Sequence, residues 1–265
     1  MTGPSEIDTS RPHAARLYDC LLGGKDWFPV DRDAAEKVKK ALPVAETGAR
    51  ANRDFMHRVT RHLAREHGVR QFLDIGTGIP TSPNLHQIAQ ETAPDCRVVY
   101  ADHDPLVLEY ADALMHSTPE GRTAYVQADV RHDSVLDSRE VRETLDLGRP
   151  VALSLLALLH FVPDEHGPQE IVRSMLGRLA PGSFLVLSHA TADFYDEDQL
   201  ARVKQVFDEG GTPVQIRGKA EIEVFFDGLE MIEPGLTPTH RWRPDEPSGM
   251  SDAEAFIYAG VGRQP

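Results

Sequence analysis

A glycine-rich turn after a short apolar segment is the strongest chemical signal in the sequence. Residues 71–75 read Gln-Phe-Leu-Asp-Ile, which predicts a strand, and they lead directly into Gly76-Thr77-Gly78. Glycines let a backbone turn tightly and approach a ligand with no Cβ in between. Asp74 is carried to the C-terminal end of the strand, the edge at which open α/β sheets bind ligands. The same residues also fit an ordinary strand–turn–helix corner.

Two further aspartates end the next two predicted strands. Asp102 follows the strand at 96–101 and lies 24 residues after Gly78, and Asp129 follows the strand at 123–128. A carboxylate at the position of Asp102 can accept hydrogen bonds from two ribose hydroxyls. A carboxylate at the position of Asp129 can accept a hydrogen bond from an adenine amino group. Each aspartate alone also fits a solvated residue at a strand end, but the ordered set indicates an adenosine-containing ligand.

The elements that position these acids alternate between strand and helix from residue 69 onward. This alternation predicts a parallel sheet with right-handed crossovers, whose helices include one at 106–116. After cap-like helices at about 193–226, segments 229–232 and 255–261 predict two more strands, joined by a Pro-rich loop at 234–251. No helix separates these strands, so we expect an antiparallel pair at the sheet edge. Residues 1–68 predict a helical extension, and residues 69–265 a single α/β domain.

The length of the chain and its net charge limit the classes of molecule that the protein is expected to bind. The chain has 265 residues, enough for one large domain or two small ones. Its net charge is −14, from 28 Lys and Arg against 42 Asp and Glu. Such a field repels phosphate backbones and anionic lipid headgroups, so we expect neither a nucleic acid nor a membrane surface as partner. A small molecule is the expected substrate, and the sequence predicts no particular oligomeric state.

No targeting or metal motif stands out. Residues 1–12 lack the apolar core of a signal peptide, and the longest apolar run, 151–159, is too short to span a bilayer. Cys20 and Cys96 form no metal or redox motif, which fits a reducing cytoplasm. We therefore expect a cytoplasmic protein without a metal site.

Over roughly residues 70–190 the chain resembles the class I S-adenosylmethionine-dependent methyltransferases. The resemblance is carried by the glycine-rich turn and by the acids after the second and third strands. The N-terminal string 14–26 and the segments 78–81 and 100–105 are also similar to a little-characterised bacterial family of S-adenosylmethionine methyltransferases. The resemblance implies a Rossmann-like fold with a seven-stranded, mostly parallel sheet in the order 3-2-1-4-5-7-6, and an N-terminal helical lid.

The resemblance also implies roles in binding S-adenosylmethionine. The turn with Asp74, Gly76, Thr77 and Gly78 is expected to hold the methionine part of the cofactor. Asp102 is expected to bind the ribose. The remaining expected contacts surround the adenine or cover the cofactor, and they come from His103, Asp129, Val130 and Tyr18.

Pro80 departs from the general methyltransferase loop, which often has a third glycine there. Proline removes an N–H group and fixes φ, so the loop must be shaped differently at that point. The sequence also departs from the dinucleotide-binding pattern Gly-x-Gly-x-x-Gly, because Thr81 occupies the position of the third glycine. This disfavours a nucleotide-binding oxidoreductase, which we keep as one alternative. The other alternative is a regulator that binds S-adenosylmethionine without catalysis.

Catalytic candidates are few, because methyl transfer from a sulfonium needs no acid to release the neutral thioether. A general base is needed only for a protonated, weakly acidic acceptor. His160, after the fourth predicted strand, is a candidate base or else a structural histidine. Tyr18, on the N-terminal segment, is expected either to line the methyl pocket or to pack.

Overall fold

A central sheet with helices on both faces organises the chain. The computed structural model describes residues 8–107, 110 and 116–265. Its strands are β1 Gln71–Ile75, β2 Arg97–Asp102, β3 Arg122–Gln127, β4 Ala152–Leu156, β5 Phe184–Ala190, β6 Glu230–Met231, β7 Thr237–Pro238 and β8 Ile257–Arg263. Its α-helices with both ends in the described residues are α1 Ala14–Leu22, α2 Pro29–Ala41, α3 Ala45–Glu66, α4 Leu85–Thr92, α5 Arg139–Thr144, α6 Pro168–Leu176, α7 Glu197–Glu209, α8 Lys219–Glu223 and α9 Asp252–Ala255.

The spatial order of the strands is β3-β2-β1-β4-β5-β8-β6, with β7 also paired to β8. Strands β1 to β5 run parallel, and β8 runs antiparallel to β5. The predicted parallel sheet and its antiparallel edge are confirmed. The predicted count of seven strands is wrong, because Thr237 and Pro238 form an additional short strand against Ala259 and Tyr258. The predicted seventh strand is therefore the eighth along the chain, in the same spatial place.

Alternation of side chains along the strands gives the sheet an apolar layer on each face. Leu73, Val99 and Leu153 pack on one face, under α5, α6 and the segment after α8. Phe72, Val98 and Ala152 pack on the other face with residues of α3 and α4. Such near-continuous apolar strands are typical of a parallel sheet that is covered on both sides.

The N-terminal helices pack in two different places. In α3, Phe55, Val59 and Leu63 recur every four residues and are buried against the sheet. Helices α1 and α2 instead pack with α7 in a separate apolar cluster that contains Leu17, Val38 and Val203. This cluster lies beside the C-terminal ends of the strands, where a lid was expected. The boundary at residue 68 stays a prediction.

Two sequence expectations reach beyond the described residues. Of the helix predicted at 106–116, residues 106–107 and Tyr110 are helical, and 108–109 and 111–115 lie outside the described residues. Residues 1–7 belong to the N-terminal segment that is predicted to lack the apolar core of a signal peptide, and they also lie outside the described residues. None of the helices in the described part of the chain has the length and apolar character of a membrane span.

The buried His86 makes the stability of the fold depend on pH. Its backbone N–H donates to the Tyr100 hydroxyl at 2.7 Å, and its Nδ1 lies 2.8 Å from the same oxygen. Burial lowers the pKa of His86 to about 4. The unfolded chain therefore binds a proton between about pH 6.5 and pH 4 that the folded chain does not, and stability falls as the pH falls through this window.

We predict that His86→Asn removes this part of the pH dependence, since Oδ1 of asparagine can accept the same hydrogen bond without titrating. Denaturant unfolding at about pH 7.5 and pH 4.5 measures it. The difference in unfolding free energy between wild type and variant should shrink by about 2–3 kcal/mol at the lower pH. The control His132→Asn, at an exposed site, should show no such change, and a constant difference for His86→Asn would contradict the prediction.

Candidate functional site

A cavity of about 480 Å³ lies at the C-terminal edge of the parallel strands, within the range of about 300–1,000 Å³ typical of small-molecule sites. One part of it is lined by loops that follow β1, β2 and β3. These lining residues are Gly76, Gly78, Asp102, His103, Asp129, Val130 and Arg131. Helices α1, α2 and α7 line the rest of the cavity. The strand topology therefore gathers most of the residues that the sequence indicated into one site.

The glycine turn has the backbone conformation that its residue type permits. Gly76 and Gly78 have φ values of +72° and +68°, in the left-handed region. A Cβ on Gly76 would lie 2.6 Å from the Leu158 side chain. A Cβ on Gly78 would lie 3.8 Å from Cβ of Ala15, in the helix that covers the turn. The turn thus forms a narrow cradle between the loop after β4 and α1.

Asp102 joins the ends of β1 and β2. Its Oδ2 accepts a hydrogen bond from the Gly78 N–H at 2.8 Å, and its Oδ1 accepts one from the Asp104 N–H at 3.0 Å. The residue is only 5% exposed, and it lines the cavity. Each carboxylate oxygen can accept more than one hydrogen bond, so the group stays available to a ligand hydroxyl.

Asp129 forms a charged pair at the next strand end. Nε and Nη2 of Arg131 both donate to its carboxylate, with Nη2 at 2.6 Å from Oδ2. Partial burial opposes ionisation, but the hydrogen bonds from Arg131 prevail and lower the pKa of Asp129 to about 2. The carboxylate is therefore charged at neutral pH, and both Asp129 and Val130 line the cavity.

Asp74 and Thr77 are not among the described residues that line the cavity. Asp74 has the same strand parity as Phe72, so its side chain lies on the α3 face of the sheet, near Arg53. Burial raises the pKa of Asp74 to about 7, although the charge of Arg53 lowers it. Thr77 turns its hydroxyl back to donate to the Asp74 carbonyl at 3.0 Å. Their predicted contacts with the cofactor stay predictions.

Tyr18 and His160 both line the cavity. The Tyr18 hydroxyl donates to the Ala49 carbonyl at 3.0 Å and accepts from Nδ2 of Asn52 at 3.0 Å, so the ring faces the cavity while the hydroxyl holds α1 to α3. His160 lies in a short 3-10 helix, Leu159–Phe161, after β4. It is 9% exposed, and its Nδ1 is buried without a hydrogen-bond partner in the described part of the chain.

His103 and α1 close the site over β2. Nε2 of His103 lies 2.9 Å from Nε2 of His13, and Arg16 forms ion pairs with Asp104 and Asp31 at 3.5 and 3.6 Å. Arg16 is buried although it carries a charge. In residues 8–107, 110 and 116–265, no group of three or more His, Cys, Asp or Glu side chains could hold a metal ion.

Two parts of the site were missed by sequence reasoning. The apolar wall from α1, α2 and α7 was not assigned, although the apolar spacing in these helices could have indicated it. The buried Arg217, which hydrogen-bonds around His160, was also missed. No local motif marks it, because its partners lie 28 to 58 residues away.

A family model described as S-adenosyl methyltransferase matches residues 1–265. The chain is also similar to two crystal structures over nearly their whole length. A "duf574 family protein" from Streptomyces avermitilis MA-4680 is 49% identical, with a TM-score of 0.95, over 98% of this chain and 100% of that one. A "putative methyltransferase" from Thermobifida fusca YX is 37% identical, with a TM-score of 0.90, over 100% of this chain and 99% of that one.

A more distant structure shares the fold. Human N-acetylserotonin methyltransferase in complex with SAM is 14% identical, with a TM-score of 0.50, over 95% of this chain and 60% of that one. None of the curated proteins compared with the chain matches it.

We predict that Gly76→Ala destabilises the fold more than Gly68→Ala. Both glycines have positive φ, at +72° and +63°. In both variants, alanine in this left-handed backbone conformation therefore lowers the free energy of unfolding by roughly 1–2 kcal/mol. Only at Gly76 does the new Cβ meet a side chain, and the displaced Leu158 adds about 1–3 kcal/mol. Urea unfolding compares the two variants, and equal losses would contradict the cradle geometry.

Proposed function

The chain belongs to the S-adenosyl methyltransferase family, and we propose that this S-adenosylmethionine-dependent methyltransferase binds its cofactor along the glycine turn, Asp102 and Asp129, and methylates a small molecule in the rest of the same cavity. The observation that carries the proposal is the convergence of these residues from three strand ends on one cavity. Open α/β sheets bind ligands at this edge.

The residues of the cavity fit the chemical parts of the cofactor. The turn at Gly76 and Gly78 brings backbone to the cavity wall with no Cβ, which suits the methionine portion. Asp102 keeps acceptor capacity for two ribose hydroxyls, and the charged carboxylate of Asp129 can accept from the adenine amino group. His103 and Val130 border the same region and would flank the adenine. Asp74 and Thr77 would act from beneath the turn, by holding its shape.

The bound cofactor supplies a methyl group on a sulfonium, whose departure leaves a neutral thioether. The task of the chain is then to align the acceptor and to exclude water. Helix α1 covers the glycine turn through Ala15. The ion pair of Arg16 with Asp31 joins this helix to α2, and the ion pair with Asp104 joins it to the loop after β2. The contacts of α1 would keep the acceptor and the cofactor in one dry compartment.

A small acceptor is supported by the dimensions and the charge of the molecule. A cavity of about 480 Å³ beneath a helical cover has room for a cofactor and a compact second molecule. The net charge of −14 disfavours a nucleic-acid acceptor.

We predict that Asp102→Ala weakens the binding of S-adenosylhomocysteine by about 1–3 kcal/mol, because the ribose loses hydrogen bonds to a charged group. Isothermal titration calorimetry measures the affinity, and thermal unfolding monitors the stability of each variant. The control is Asp146→Ala, since the Asp146 carboxylate also accepts a backbone N–H, from Gly148 at 3.0 Å, but does not line the cavity.

The control variant should bind S-adenosylhomocysteine as wild type does. Equal affinity of Asp102→Ala and wild type would remove Asp102 from the ribose site. A wild-type chain that binds neither S-adenosylmethionine nor S-adenosylhomocysteine would contradict the proposed cofactor site as a whole.

A further inference from the structure

We propose that Arg53, on α3, is a positioning residue for the cofactor. It holds the segment that follows the glycine turn, and it thereby determines where the methionine portion of the cofactor binds. This inference rests on the proposed function, because it deepens the role given there to the glycine turn. Three features carry it: the irregular course of the chain after the turn, the backbone carbonyls to which Arg53 donates, and the packing of α3 against the sheet.

The chain takes an irregular course between the glycine turn and α4. Residues 79–84, here called the linker, belong to no helix or strand. Pro80 and Pro83 also lack an N–H group, so they can donate no backbone hydrogen bond. A segment outside regular structure must find its hydrogen bonds in other parts of the molecule. The shape of the turn therefore depends on the groups that hold the linker.

The first half of the turn is fixed by β2. The Gly76 N–H donates to the Ala101 carbonyl at 2.8 Å, and the Gly78 N–H donates to the Asp102 carboxylate at 2.8 Å. These hydrogen bonds reach as far as Gly78, where the linker begins. They determine how the chain enters the turn, but they do not determine how it leaves.

The linker is held from α3. Nη2 of Arg53 donates to the carbonyls of Thr81 and Pro83, the second at 2.9 Å. One helical turn further along, Nε2 of His57 lies 3.1 Å from the same Pro83 carbonyl. The Thr81 N–H donates in turn to Oδ1 of Asn84, the N-cap residue of α4, at 3.0 Å. Arg53 therefore fixes the linker at two places before the chain enters α4.

Helix α3 gives Arg53 a fixed base. Phe55, two residues further along the helix, is fully buried. It shares an apolar cluster with Phe72 of β1 and with Leu85, the first residue of α4. The helix thus packs against both elements that the turn and the linker connect. A guanidinium group on this helix can set the position of the linker relative to β1.

Arg53 acts on the turn without facing the cavity. Burial raises the pKa of Asp74 to about 7, and the nearby charge of Arg53 opposes this rise. The guanidinium therefore lies near the residue before the turn, Asp74, and bonds to a residue after it, Thr81. Arg53 is not among the described residues that line the cavity. Its effect on a ligand must therefore pass through the turn.

The methionine portion is the part of the cofactor that should respond to Arg53. The proposed function places this portion along Gly76 and Gly78, and it places the ribose and the adenine at Asp102 and Asp129. The two aspartates stand at the ends of β2 and β3, which Arg53 does not hold. A displaced linker would therefore weaken binding of the amino-acid end of the ligand and spare most of the adenosine contacts.

The test compares two ligands by isothermal titration calorimetry. They are S-adenosylhomocysteine and 5′-methylthioadenosine, which has the same adenosine and a thioether but lacks the amino-acid end. Wild type should bind S-adenosylhomocysteine at least about tenfold more tightly. Arg53→Met should lower the affinity for S-adenosylhomocysteine about tenfold, and it should change the affinity for 5′-methylthioadenosine by less than about twofold.

The matched control is Arg58→Met. Arg58 lies on the same helix, is also half-buried, and donates to the carbonyls of Thr239 at 2.7 Å and Trp242 at 3.0 Å. Thermal unfolding should show that both variants lose stability, because each leaves backbone carbonyls without their donor. Only Arg53→Met should lose the preference for S-adenosylhomocysteine. A purely structural role of Arg53 would leave this preference the same in both variants.

Arg53→Lys tests the geometry of the guanidinium group. Lysine keeps the charge and can donate to a carbonyl, but it lacks the planar, fixed arrangement of donors. We expect a preference for S-adenosylhomocysteine between those of wild type and Arg53→Met. Should Arg53→Met fail to fold, the comparison of Arg53→Lys with Arg58→Lys decides the question, because the preference should fall in Arg53→Lys alone.

The outcomes distinguish this inference from the proposed function. A wild-type protein that binds neither ligand contradicts the proposed function itself. A wild-type protein that binds the two ligands equally, or an Arg53→Met variant that keeps the wild-type ratio of the two affinities, overturns the positioning role alone.

Discussion

The hydrogen bond from the Gly78 N–H to the Asp102 carboxylate is the contact on which the site depends. It joins the turn after β1 to the end of β2, and the second oxygen of the same carboxylate holds the Asp104 N–H. Parallel pairing of β1 with β2 brings these groups to one edge, since Ile75 lies beside Ala101. The carboxylate therefore shapes the glycine turn and faces the cavity at the same time. The ligand-binding role proposed for Asp102 therefore falls on a buried carboxylate that already holds the glycine turn in place.

Polarity changes along the cavity. Near the strand ends it presents carboxylates, backbone and the imidazole of His103, which suit an adenosyl group. Beneath α1, α2 and α7 it presents aliphatic and aromatic side chains, with His160 as a buried polar group at its wall. The same apolar cluster holds α1 in place over the glycine turn. The helix that covers the glycine turn and the apolar wall of the cavity thus belong to one packing unit.

Local patterns were sufficient for most of the sheet and for most of the residues that line the candidate site. Apolar strands that end in Asp102 and Asp129 could be read from the sequence, because each pattern lies within a few consecutive residues. The strand β7 could not, since its two residues lie in a Pro-rich loop and pair only because the fold brings them to β8. Asp74 was placed on the right strand end, but the face to which its side chain points depends on the parity of the strand and on the position of α3. Arg217 joins groups from distant segments, which no short motif records.

The crystal structure of the chain with S-adenosylhomocysteine tests the central claim most directly. The account predicts that the ribose hydroxyls lie within about 2.6–3.2 Å of the Asp102 carboxylate, that the adenine lies beside Asp129 and Val130, and that the homocysteine portion lies along Gly76 under α1. A ligand bound elsewhere on the molecule, or a ribose that leaves Asp102 without contact, would contradict it.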